Sequence, residues 1–226
     1  MHKLSISEKM LLALLELSLN KTTPEVFYFS KASDEDWKAC SLLAAKQGVL
    51  ALAWSGVCML PQECQPYQNL KISWALAVEK YERKYARYCK AVNELSTYYR
   101  QFGINMIQLK GVGLSTYYPV PSYREGGDID IYACMEDLSP ASDTKANKLS
   151  DDIIEQMGIE VDRFHSKKHS VFRYNGIPVE NHRTFLDVSV YPLARKVEKM
   201  LRECLNPEIA ELEGGGQVLI PSPKFN

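Results

Sequence analysis

A periodic segment over roughly residues 68–101 leaves this chain few choices of local structure. Trp74, Val78, Tyr81, Tyr85, Tyr88, Val92, Leu95 and Tyr99 recur there at alternating steps of four and three. Such spacing lays one apolar seam along a single long helix. Three of the central seam positions are tyrosine, so the seam reads as packing against the rest of the chain rather than as a coiled-coil dimer face. Glu79, Lys80, Glu82, Arg83, Lys84 and Arg87 form most of the solvated side. Upstream, residues 5–19 and 34–58 also read as helices, the second introduced by the capping side chains of Ser33 and Asp34, and the Pro61–Pro66 stretch separates it from the long segment.

At Gly103 the pattern changes. Residues 104–109 form a short strand candidate, Lys110-Gly111 turns the chain into a short helix over 112–118, and Pro119 stops it. Residues 121–127 read as loop, and Asp128 to Ala133 alternate as a strand. A polar loop and a helix fill 138–157. Strands follow at 159–164, 170–174 and 177–186, with Asn175-Gly176 as a hairpin turn. A charged helix over about 192–205 leads to Gly214–Gly216, read as a linker. The expected fold is therefore α+β: a helical N-terminal region, 1–102, packed on a small mixed β-sheet core, 103–226.

Bulk composition narrows the function classes. A chain of 226 residues, 46% hydrophobic, can bury one good core or two modest ones. With 27 basic against 28 acidic residues, no global field draws in nucleic acid or anionic membrane, so any anion site must be local. The absence of a basic stripe argues against template-directed polymerisation. The six cysteines show neither a C-x-x-C pair nor a regular spacing, which points to reduced thiols in a cytoplasmic protein. The apolar run from Met10 to Leu19 is interrupted by Glu16 and too short to span a bilayer, so it reads as a buried amphipathic helix rather than a signal peptide or membrane segment.

The chemistry concentrates in residues 108–131. In a strand, residues i and i+2 share a face, so Asp128 and Asp130 present two carboxylates with Cα atoms about 6–7 Å apart. Paired carboxylates of this kind can bind divalent cations about 3.5–4 Å apart for in-line phosphoryl or nucleotidyl displacement. Magnesium prefers such ligands together with substrate phosphates. Gly111 adds a strand, glycine turn and helix start where a phosphate can sit. Lys110 and Arg124 are candidate cations beside it.

The order L-K-G, short helix, Y-P-x-P, then R-x-x-G-D-I-D-I resembles the uncharacterised nucleotidyltransferase family of the DNA polymerase beta-type superfamily. The resemblance covers roughly 104–186. It implies that Asp128 and Asp130 are the metal pair and that Glu180, in the V-E-x-H-like stretch Ile177–His182, is the third metal-binding and catalytic carboxylate, with Asp187 as its alternative. It implies Mg2+ or Mn2+ as cofactor, a nucleoside triphosphate as substrate and an unidentified hydroxyl acceptor, with Lys110, Gly111, Arg124 and His182 as substrate-binding candidates. Val112 departs from the small residue usual after the glycine. Relatives are expected to continue beyond Asn226 into further helices, so the chain reads as shortened there.

Other readings stand beside this one. The histidines His165, His169 and His182 could together form a zinc site, but none has a cysteine partner at suitable spacing, so they read rather as surface or hydrogen-bonded groups. Tyr117, Tyr118 and Tyr123 are candidates for base stacking, with core packing expected for at least one. The competing functions are a non-catalytic nucleotide-binding or antitoxin-like interaction module, and a metal-dependent glycosyltransferase using the same Asp-x-Asp. The last is disfavoured because no alternating strand–helix pattern precedes the motif.

Overall fold

The computed structural model describes residues 4–20, 27–136, 138–164, 166–189 and 193–225, and His165 lies outside them. The chain forms an α+β structure with two compact units, Met1–Tyr85 with Tyr117–Glu125, and Ala86–Thr116 with Gly126–Asn226. The long helix contributes residues to both.

The first unit is helical. It contains α1 (Ile6–Asn20), α2 (Asp34–Lys46), α3 (Leu50–Met59) and the first half of α4 (Gln68–Arg100). Ser33 begins α2 with a reciprocal cap: its hydroxyl accepts from Asp36 N at 3.2 Å, and its own N–H donates to Asp36 Oδ2 at 3.0 Å. The sequence pattern suggests one helix over 34–58, and the structure has two. Gly48 adopts φ +68, a left-handed conformation that ends a helix, and Val49 N closes back on Ala44 O at 3.0 Å. The core here is aliphatic and aromatic, built around Met10, Leu14, Leu17, Trp37, Trp74 and Val78, with Phe29 stacked on Trp37. Trp74 Nε1 donates to Leu50 O at 3.0 Å, satisfying its one polar atom inside that core.

The second unit is a seven-stranded mixed sheet with strand order β3-β4-β5-β2-β1-β7-β6. Its strands are β1 (Asn105–Gln108), β2 (Ile129–Cys134), β3 (Val161–Asp162), β4 (His169–Tyr174), β5 (Ile177–His182), β6 (Glu208–Glu211) and β7 (Gln217–Ile220). Helices α5 (Val112–Ser115), α6 (Pro140–Gln156) and α7 (Ala194–Cys204) complete it. The anticipated Asn175-Gly176 turn joins β4 to β5. The C-terminal glycine run is not a linker. It is the turn of the β6–β7 hairpin, closed by Leu212 N donating to Gly216 O at 2.9 Å, and β7 pairs parallel with β1 through Ile107 and Leu219. A run of three glycines is compatible with either reading, and only the pairing of its flanks decides.

Seam positions of α4 are buried in both units: Trp74 and Val78 in the first, Tyr88, Val92, Leu95 and Tyr99 in the second. The six cysteines form no disulfide with one another.

Candidate active site

The centre of the second unit brings two acidic segments together. Strand β2 is buried along its whole length, and β5 runs parallel beside it with Asp130 directly opposite Glu180. Directly opposed residues in a ladder share a sheet face, and Asp128, in the bend just before β2, reaches the same point. One ligand atom from each of Asp128, Asp130 and Glu180 lies within 4.8 Å of the others. Asp130 is 1% exposed, while Asp128 and Glu180 are half-buried.

Two cationic or polar groups hold Asp130. Lys110 Nζ donates to Asp130 Oδ1 at 2.7 Å, and His182 Nε2 lies 3.0 Å from the same oxygen. Burial pushes the Asp130 carboxyl up, but the His182 and Lys110 contacts outweigh it and hold the group below the usual carboxylate range. Asp128 goes the other way: burial first, then the Asp130 and Glu180 charges, raise it, with only partial relief from Lys110. For Lys110 burial opposes the charge, yet the hydrogen bond to Asp130 and the field of the three carboxylates leave its ammonium more firmly protonated than usual. The site therefore concentrates negative charge faster than its one lysine neutralises it, and the unrelieved part falls on Asp128.

The turn after β1 is shaped for close approach. Gly111 has φ +60 and ψ −123, a conformation that side-chain-bearing residues avoid, and an added Cβ would lie 3.3 Å from Asp128 O. Val112, the departure noted in the sequence, is buried and packs inward. The small residue that lets α5 lie on the sheet is Gly113, where a Cβ would come within 2.9 Å of Ile220 and 3.0 Å of Gln108. Gln108, overlooked in the sequence, is fully buried. Its Nε2 donates to Lys110 O at 2.9 Å and to Asp130 O at 3.1 Å, which ties the turn to β2. Tyr88 Oη, from α4, donates to Gly127 O at 3.0 Å and anchors the approach to Asp128.

A second set of residues, also not legible as functional in the sequence, holds β5 in register. Asn181 points to the face opposite Glu180 and His182 and donates to Ser150 Oγ and Asp151 Oδ1, both at 2.8 Å, while Ser170 Oγ donates to the same Asp151 oxygen at 2.8 Å. Beyond β5, Glu198 of α7 accepts from Phe185 N at 2.9 Å and Leu186 N at 3.0 Å. Asp187, the alternative third carboxylate, accepts from Ser189 N at 3.0 Å in an exposed turn and does not belong to the cluster. Arg124 falls in the first unit, where Nη1 reaches Glu125 O at 3.4 Å. Tyr123 packs against that unit's core, and Tyr117 and Tyr118 are exposed.

A sheet that sets Asp-x-Asp beside a third carboxylate, next to a glycine bend, is an arrangement suited to holding a divalent cation near a phosphate. The family model described as uncharacterised nucleotidyltransferase matches residues 33–226, and the chain belongs to that family. No curated protein and no solved structure matches it. Among the described residues no helix is long and apolar enough to cross a membrane.

Proposed function

We propose that this chain transfers a nucleoside monophosphate from a nucleoside triphosphate to a hydroxyl acceptor, releasing pyrophosphate. The observation that carries the reading is the convergence of Asp128, Asp130 and Glu180 from two separate segments onto one point. The donor set fits a hard divalent cation, since it is all carboxylate oxygen with no thiolate, and Asp128 is held above its usual range first by burial and then by the Asp130 and Glu180 charges. Asp128, Asp130 and Glu180 would hold magnesium or manganese, which when bound neutralises phosphate charge and makes a nearby hydroxyl more acidic.

The remaining steps belong to the protein's own side chains. His182, buried against Asp130, fixes the orientation of that carboxylate. The Lys110 side chain is about half exposed (55%), so it can leave Asp130 when positive charge arrives there and turn its ammonium to the triphosphate. The Gly111 bend carries no side chain between the backbone and an incoming phosphate. Positioning and charge neutralisation supply most of the rate in such chemistry, so few side chains are required.

The test is pyrophosphate release from each of the four nucleoside triphosphates with Mg2+ or Mn2+, with and without cell extract as acceptor source. Turnover that disappears in Asp130→Asn is expected. If calorimetry gives no heat for triphosphate plus either ion, and Asp130→Asn changes nothing, the transferase reading fails. Binding without pyrophosphate release would favour the non-catalytic module.

A further inference from the structure

The Glu180 carboxylate also faces a second group of donors. His169 lies opposite His182 across the β4–β5 ladder, and the two rings meet edge to face with centroids 5.1 Å apart. Glu180 Oε2 is 3.4 Å from His169 Nδ1 and 3.3 Å from His182 Nε2, and one ligand atom from each of the three residues lies within 4.8 Å of the others. These two separations are longer than ordinary N–H···O hydrogen bonds, which centre near 2.9–3.0 Å. They match the edge of a coordination tetrahedron: ligands about 2.0–2.2 Å from a zinc ion sit about 3.3–3.6 Å from one another.

We infer that His169, Glu180 and His182 form a separate subsite for a borderline-soft divalent cation, such as zinc or cobalt, sharing Glu180 with the all-carboxylate group. Two imidazoles and one carboxylate, with a fourth position open, are a donor set that zinc accepts and magnesium does not favour. The tautomer needed is accessible. His182 is 1% exposed, and its Nδ1 makes no hydrogen bond among the described residues. That atom can carry the ring proton while Nε2 turns its lone pair from Asp130 to an ion.

Sharing has a consequence. A cation bound by the imidazoles takes Glu180 as its ligand, so occupancy of this subsite and recruitment of Glu180 beside Asp128 and Asp130 oppose each other. The inference does not depend on nucleotidyl transfer, because the imidazole subsite contains neither Asp128 nor Asp130 and needs no nucleotide.

The test uses the full chain without nucleotide, titrated with Co2+ by visible absorption and with Zn2+ by calorimetry. The expected result is a tetrahedral cobalt spectrum and zinc binding that His169→Gln weakens by at least about the 10–100-fold that an outer-shell partner is worth. Asp128→Asn should leave both signals in place. Circular dichroism checks the fold. Should His169→Gln prove unfolded, His169→Cys decides, because a thiolate is itself a zinc ligand and should retain zinc binding. The inference is overturned if His169→Gln binds both ions as the parent does, if Asp128→Asn abolishes the signals instead, or if folded His169→Cys loses zinc.

Discussion

The two units solve the problem of burial in different ways. Among the described residues of the first, the buried polar side chains are two serines, Ser18 and Ser122, set in a core of leucine, alanine and tryptophan. The second buries Asp130, Asp143, Asp151, Asn181, His182 and Glu198. An apolar core is stabilised roughly in proportion to the area it removes from water, whereas each buried polar group must be matched by a partner to avoid a penalty. The first unit is thus held together by apolar packing. The second depends on hydrogen-bond and ion-pair partners for its buried polar groups, such as Asn181 and Ser170 at Asp151 and Lys110 and His182 at Asp130.

The contrast can be broken most forcefully at Trp74. Truncation to alanine removes a fully packed indole and its hydrogen bond to Leu50 O, and should destabilise the protein by about 3–5 kcal/mol in urea unfolding. A loss below about 1 kcal/mol would show that the first core is not held by packing. In the second unit, Glu180→Gln should instead spare the urea midpoint while lowering pyrophosphate release by a factor on the order of 10²–10³, comparable to loss of one preorganised electrostatic group. A large fall in stability with unchanged turnover would reverse the assignment of roles.

A smaller effect is expected at Asn181, which touches no proposed substrate. Asn181→Ala removes one of the two side-chain donors to buried Asp151, and should lower stability by about 1–3 kcal/mol and weaken Mn2+ binding through lost register of β5. Calorimetry and thermal melts together separate the two. The smallest effect concerns Asp128. Its carboxyl is raised in the folded state, so its charge works against folding above the folded pKa, and that penalty fades as pH falls toward the unfolded value of about 3.9. Asp128→Asn should therefore raise the melting temperature slightly at pH 7 without added ion, and the gain should vanish below about pH 4. A gain that grows on acidification would contradict the charge crowding described for the site.

Much of the site was readable because it is local. Asp128 and Asp130 sit two residues apart, the first in the bend that leads into β2 and the second within it, and Gly111 follows a strand and precedes a helix, so short-range spacing is enough to pair them. Glu180 is legible only through the V-E-x-H resemblance and not through spacing, because the 49 residues between Asp130 and Glu180 carry no distance information. Gln108, Asn181 and Ser170 gave no signal, since a buried amide or hydroxyl in a strand looks the same in sequence whether it faces solvent or a partner. The reading of the histidines as hydrogen-bonded groups holds for His182, whose Nε2 lies 3.0 Å from Asp130 Oδ1, but the sequence does not show that His169 sits opposite it across the ladder.

Local pattern is enough to define the segments: a long helix from four-three periodicity, strands from alternation, and an acidic pair two residues apart where a strand begins. These depend on neighbours within a few residues, where backbone geometry leaves little choice. Long-range packing sets the rest: β5 lies parallel beside β2 with Glu180 opposite Asp130, His169 meets His182, and the glycine run closes a hairpin onto β1. Strand order and register follow from which faces find complementary partners across the whole sheet, and that is a property of the assembled chain rather than of any stretch of it.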